Sequence, residues 1–255
     1  MLRPCHVFVV LLLLASSAKS QDQGGDLELL GLSQQMVVVT SSDWKSTTGF
    51  LRRFERTDNG WQMDGPVLPI VLGRGGLGWG RGAQPPSQPG PQKREGDGRS
   101  PAGIFPLTYA FGYADPDSVR EIKLPYVQCT STLECVDDTN SSYYNIIVDR
   151  QTVSKPDWKS SEKMHMTNDE YRLGIFVANN SEPAKPGYGS CVFMHIWKSP
   201  QTPTSGCTAM SPGAIESLLG WLDARNHPVL VQFPEAEYQR VQKAWRLPDL
   251  VNTNL

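Results

Sequence analysis

The sequence predicts a mainly β fold with a few helices, and three observations carry that expectation. Short runs of β-branched and aromatic residues recur at 36–40, 49–56, 61–63, 67–72, 104–109, 143–149, 175–178, 191–197 and 229–232. Turn residues separate them, and Asp58-Asn59-Gly60 falls between two of the runs, where Asn-Gly is a strong hairpin signal. Helical periodicity is clear only near the C-terminus, and no internal repeat is present.

In chain order, Arg3 precedes an apolar run over 7–15 that is too short to cross a bilayer core. With Ala18 and Ser20 at the −3 and −1 positions, residues 1–20 read as a signal peptide. Cys5 precedes the apolar run, so no lipid anchor is indicated, and no later stretch is apolar enough to span. The expected product is an exported protein without stable membrane insertion. Cleavage removes Arg3 and Lys19 but no acid, making a chain of formal charge −2 more negative still, and nucleic acid is not expected as a partner. Residues 21–35 read as a flexible N-terminal tail and 36–255 as a single domain.

The segment 73–98 is dense in glycine and proline and is expected to form a loop. Within it, Gly73-Arg74-Gly75-Gly76-Leu77-Gly78 matches G-x-G-x-x-G. A dinucleotide site needs a helix to start there, and the following glycines and prolines do not allow one. A helix is expected after Ser211-Pro212, where serine caps and proline occupies the first turn. Ile215, Leu218, Leu219 and Leu222 then form a core-facing stripe. A second helix is expected over 235–246, with Tyr238, Val241 and Trp245 on one face.

Four cysteines follow the cleavage site: Cys129, Cys135, Cys191 and Cys207. Cys129 and Cys135 are close enough in sequence to close a short disulfide loop in an oxidising compartment. Cys191 lies in an almost wholly apolar run and reads as a buried small hydrophobe. His195 ends that run, and Cys207 follows in a turn of small residues, Thr204-Ser205-Gly206-Cys207. A cysteine nucleophile needs a base or an electropositive setting, and a nearby histidine is the usual means. His6 goes with the signal, while His165 and His227 lack such a context. On spacing alone three other readings stay open: a Cys191–Cys207 disulfide, zinc held by Cys191, His195 and Cys207, and a histidine that merely packs.

A known family carries the same residue pattern. Its hallmark is a strand histidine followed by Ser or Thr, often His, and then Gly-Cys; here these are His195, Ser205, Gly206 and Cys207. Upstream, Gly98-Arg99-Ser100-Pro101-Ala102-Gly103-Ile104-Phe105 is similar to the family's threonine-proline-x-glycine-x-phenylalanine segment, with Ser100 for threonine. The stretch from 94 to 210 thus resembles the YkuD-type L,D-transpeptidase catalytic domain. Two features depart from the pattern. No histidine stands between Ser205 and Gly206, and Thr208-Ala209-Met210 follows the cysteine where a polar residue is often seen.

What the resemblance implies is a YkuD-like β-sandwich acting on peptidoglycan stem peptides in the periplasm or cell wall, as a monomer and without a metal or organic cofactor. Cys207 would be the nucleophile and His195 its base. Gly206 and Cys207 would supply oxyanion donors, and Ser205 would orient the turn. Arg94, Arg99, Tyr144 and Asn145 are the candidate substrate contacts. Two alternatives accompany this reading: a hydrolase on the same scaffold, and a non-catalytic wall-binding module.

Overall fold

The computed structural model describes residues 27–250; the expected signal peptide and the first part of the expected tail, 21–26, lie outside the described residues. The tail expectation fails for its last part. A short helix α1 (Glu28–Leu32) forms there, and Leu30 is buried in the core. Strands β1 (Gln35–Ser41), β2 (Thr48–Thr57), β3 (Gly60–Val71), β4 (Leu77–Trp79), β5 (Ser100–Gly112) and β6 (Tyr126–Gln128) follow. A small separate sheet comes next, from β7 (Leu133–Val136), β8 (Ile147–Asp149) and β9 (Ser161–Lys163). The chain then returns to the main sheet with β10 (Leu173–Val177), β11 (Phe193–Ile196) and β12 (Thr208–Met210). Helix α2 (Pro212–Trp221), strand β13 (Val229–Pro234) and helix α3 (Glu235–Trp245) complete it.

The fold is β-rich with few helices, as the sequence predicts, and forms a YkuD-like β-sandwich. Asn59-Gly60 makes the expected turn between β2 and β3, and β3 absorbs both 61–63 and 67–72. The main sheet runs β10-β11-β12-β3-β2-β1-β13-β5-β4, and β5 also pairs with β10, which brings the sheet round on itself. β5 is long enough to serve both partners: Gly103–Pro106 pairs with β13, and Leu107–Gly112 pairs with β10. β1, rich in valine, has every residue buried and lies between antiparallel β2 and parallel β13.

Both expected helices are present. Ser211 caps α2 by accepting from the Ala214 N–H, and Pro212 occupies its first turn. Ile215, Leu218 and Leu219 are buried, as is Leu222 at the helix end. Each such side chain contributes about 2 kcal/mol through removal from water. Tyr238, Val241 and Trp245 form the buried face of α3, which covers β1 and β13, while α2 packs on β10 and β11.

Three local expectations need correction. The segment 73–98 is not all loop, because Leu77–Trp79 pairs in parallel with Ser100–Ala102. No helix follows Gly73, as the rejection of a dinucleotide site required. The run 143–149 is strand only from Ile147, since Asn145 takes a left-handed turn conformation with φ 64°. Likewise the run at 191–197 becomes strand only at Phe193, and Cys191 itself has φ 52°.

The cysteine pairing also differs from the expectation. Cys135 bonds to Cys191, while Cys129 and Cys207 are free. Cys129 follows β6 and its N–H donates to Gly112 of β5 at 2.7 Å, so it belongs to the main sheet. Cys135 lies on β7 in the small sheet, and the two expected partners therefore sit on different layers. Burial raises the unpaired Cys129 thiol to about 12. Cys191 is thus a covalent tie between sheets rather than a free small hydrophobe.

Within the small sheet, buried Glu134 is the hub. Burial alone would raise its pKa, but hydrogen bonds from Lys163, Ser161 and Trp158 outweigh that and hold it at about 2. Arg150 adds a fourth contact at 3.2 Å.

Cys135 and Cys191 are 56 residues apart in sequence. Closing a loop of that length restricts the unfolded chain by about 4 kcal/mol. Cys135→Ser is expected to lower the denaturant midpoint accordingly, and non-reducing peptide mapping should find Cys135 linked to Cys191 with Cys129 unlinked.

Candidate active site

The site is built on the parallel pairing of β11 with β12. Met194 pairs with Thr208, His195 with Ala209 and Ile196 with Met210. Because register neighbours in a sheet share a face, His195 and Cys207 lie on the same side, one step apart along the strands. Cys207 leads directly into β12, whereas the sequence reading put it near the start of a helix; α2 begins only after the strand.

The turn before Cys207 is fixed from several directions. Thr204 Oγ1 donates to the Cys207 carbonyl at 2.6 Å and accepts the Gly206 N–H at 3.1 Å. Ser100 Oγ donates to the same carbonyl at 2.8 Å while accepting the Gly73 N–H at 2.9 Å. Gly206 has φ 153°, and a Cβ there would lie 3.2 Å from the Arg99 carbonyl oxygen, so glycine is what the turn requires. Thr204 thus orients the turn, the role expected of Ser205. Ser205 instead accepts from Arg74 Nη1 at 3.2 Å at the exposed rim.

Cys207 is 8% exposed. Its sulfur accepts the Phe193 N–H at 3.4 Å, and its S–H faces the Cys191 carbonyl oxygen at 3.8 Å. Burial pushes the thiol up to about 12, and the Glu162 carboxylate pushes the same way. The Phe193 N–H, Lys93 and the Tyr171 hydroxyl pull against them. The resting sulfur is therefore a thiol, and its reaction requires a proton acceptor.

His195 is buried, and its Nδ1 lies 2.8 Å from the Ile196 carbonyl oxygen. A carbonyl only accepts, so Nδ1 carries the proton and Nε2 keeps the lone pair. Burial lowers the imidazole pKa to about 4, against the pull of the Ile196 and Glu170 carbonyls. At neutral pH the ring is uncharged and able to accept a proton.

Cys207 and His195 open into a cleft of about 620 Å³, within the range of small-ligand sites. Its walls carry both signs of charge, Arg74, Lys93 and Lys198 facing Glu95, Asp137, Glu162 and Glu170. Lys93 is held by a 2.6 Å ion pair to Asp97.

The four candidate substrate contacts lie outside the cleft lining. Arg94 stacks over Tyr188, with its guanidinium 4.6 Å from the ring centroid. The Arg99 guanidinium donates to the Leu77 carbonyl at 2.7 Å. Buried Tyr144 donates to Glu95, and so helps place a carboxylate that does line the cleft. Asn145 accepts the Cys191 N–H at 2.9 Å and donates to the carbonyls of Asn179 and Asn180, bracing the turn beside the disulfide. The zinc set fails because Cys191 is in a disulfide, and the Cys191–Cys207 bridge fails for the same reason.

A family model for the YkuD L,D-transpeptidase catalytic domain matches residues 54–231. The chain belongs to this family. The match begins inside β2 and ends inside β13, so β1 and α3, which complete the sheet and its cover, lie outside the matched span of this L,D-transpeptidase domain. No curated protein and no solved structure gives a significant match. Sequence reasoning missed Arg74, Thr204, Tyr171 and Glu162 as parts of the site. For Arg74 and Thr204, closeness to the glycine run and to Gly-Cys was a usable signal; Glu162 and Tyr171 come from elements with no motif of their own.

The geometry of His195 makes an expectation for nitrogen-detected NMR. At neutral pH the ring should show the Nδ1–H tautomer, and it should gain a second proton only as the pH falls to about 4.

Proposed function

We propose that this domain is an exported peptidoglycan L,D-transpeptidase with Cys207 as nucleophile and His195 as acid–base group. The observation that carries this reading is a free thiol on the cleft wall, on the same sheet face as a neutral imidazole with an available Nε2. The Cys135–Cys191 disulfide supports export, because such bonds persist in oxidising compartments.

His195 Nε2 accepts the thiol proton, and the Cys207 sulfur attacks the carbonyl that links an L-centre to the terminal D-alanine of a stem tetrapeptide. The Gly206 N–H is committed to Thr204, so the Cys207 N–H is the amide of this turn that meets the oxyanion. Collapse breaks the C–N bond, His195 returns the proton to the leaving amine, and a thioester remains. An acceptor amine then attacks the thioester while His195 Nε2 takes the proton it loses; the C–S bond breaks, the crosslink amide forms, and the proton returns to the Cys207 sulfur.

Incubation of the mature protein with a defined tetrapeptide muropeptide and an amine acceptor should give the crosslinked mass. Cys207→Ala should abolish product while keeping the fold, and His195→Ala should leave no more than about a hundredth of the activity at neutral pH. Near-normal turnover by either variant would sink the assignment. A product mass reporting only water addition, with the amine present, would make the protein a hydrolase.

A further inference from the structure

The run Lys93-Arg94-Glu95 leaves one charge without a counterion. Lys93 is paired with Asp97 at 2.6 Å and the Arg94 guanidinium lies over Tyr188, so neither flanking cation meets Glu95. Glu95 lines the cleft instead, and three contacts fix it there. Its N–H donates to the Gly187 carbonyl at 3.0 Å. Its Oε2 accepts from the Ser190 hydroxyl at 2.9 Å and from the hydroxyl of buried Tyr144. Its Oε1 accepts no hydrogen bond among the described residues.

This carboxylate is tethered close to the nucleophile. Ser190 precedes Cys191, whose carbonyl oxygen faces the Cys207 S–H at 3.8 Å. The adjoining segment brings a second unsatisfied oxygen. The Asn145 N–H donates to the Val136 carbonyl at 2.7 Å, which sets Asp137 beside the Tyr144 segment. Asp137 also lines the cleft, and its Oδ1 is buried without a hydrogen-bond partner. A buried acceptor of this kind calls for a donor, and two carboxylates call for positive charge. A guanidinium favours both oxygens of one carboxylate, but Glu95 Oε2 already carries two hydroxyls. An ammonium is a compact charge with three donors and needs only one oxygen from each neighbour. Among the described residues no three His, Cys, Asp or Glu side chains come together as metal ligands.

We propose that Glu95 is a specificity-determining residue that holds a primary ammonium group of the donor peptide, with Tyr144 and Ser190 as its positioning residues. The inference rests on the proposed transpeptidation. That reaction ends in attack by an amine of the acceptor, and a donor drawn from the same polymer carries the same amine. At neutral pH a free alkylamine is protonated, its pKa being about 10.4. Held as an ammonium it has no lone pair and cannot attack. Glu95 therefore suits the amine that has to stay unreactive, the donor's own, and keeps it from the thioester formed on the same peptide. The acceptor amine has to arrive with its lone pair free.

The test has two arms. In the first, Cys207 of the native protein is modified by 2-aminoethyl methanethiosulfonate, which is cationic, and by its neutral 2-hydroxyethyl analogue, with both rates read by mass on the peptide bearing Cys207. The ratio of the two rates cancels the ionisation of the thiol. It should fall about fivefold in Glu95→Gln, the worth of one close charge contact in water, and much less in Glu170→Gln, which removes another carboxylate of the same cleft. In the second arm, D-alanine release is followed from a tetrapeptide donor with its amine free and from the same donor with that amine acetylated. Glu95→Gln should raise KM for the free-amine donor about tenfold and for the acetylated donor less than twofold. The proposal is overturned if the ratio falls less than twofold in Glu95→Gln, if Glu170→Gln lowers it as far, or if the rise in KM falls on the acceptor or equally on both donors. Should Glu95→Gln fail to fold, Ser190→Ala, which frees the carboxylate from one of its two hydroxyls, has to lower the ratio at least twofold or the proposal falls. A wild-type protein that releases no D-alanine, with the ratio still falling in Glu95→Gln, would remove the proposed activity and leave the ammonium subsite standing.

Discussion

The parallel pairing of β11 with β12 is the constraint on which the site depends. Parallel neighbours need a crossover, and here the chain makes it in the short span from Trp197 to Cys207. So short a connection cannot wander. It is pinned midway, where Thr204 bridges to Gly73, and at its end, where Ser100 and Thr204 both hold the Cys207 carbonyl. With the peptide plane fixed, the sulfur has one place to go, under the Phe193 N–H and on the His195 face.

Around that fixed point the structure assembles a wall from a different layer. The small sheet contributes Glu162 and Asp137 to the cleft, and it is held there by the Cys135–Cys191 bond and by Asn145. The charge buried at Glu134 serves the same end. Left alone it would destabilise the small sheet, but four donors satisfy it and lock β7 to β9 and to the Trp158 segment. Stability and site geometry are thus linked through one three-stranded element.

Much of this was legible in the sequence. The α2 stripe, the Tyr238-Val241-Trp245 face and the Asn59-Gly60 hairpin follow from local patterns, and local patterns are what a single sequence exposes. The Gly-Cys turn was legible because glycine at 206 answers a backbone demand. The disulfide was not. Cys129 and Cys135 are near in sequence but belong to different sheets, and Cys191 meets Cys135 only after the chain has folded back from β10. Glu162 and Tyr171 escaped for a similar reason: they line the same cleft as Cys207 only once the fold is made, and neither residue's neighbours announce it. Arg94 and Arg99 mislead in the opposite way, since cations close to a motif read as ligand contacts and here fasten their own loop.

The double pairing of β5 reaches beyond the site. A β-sheet ordinarily ends in strands whose unpaired amides and carbonyls can recruit another chain. By joining both β13 and β10, β5 removes the edges that it and β10 would otherwise expose. Of the strands left at the margins, β4, β6, β8 and β9 are three residues each, whereas β3 meets β12 only at Val71 and leaves most of its outer side unpaired. The short strands offer too few hydrogen bonds to seed aggregation, and the open side of β3 is interrupted in another way, by Pro66 and Pro69, which have no N–H to donate, and by the register shift opposite Leu51–Arg53.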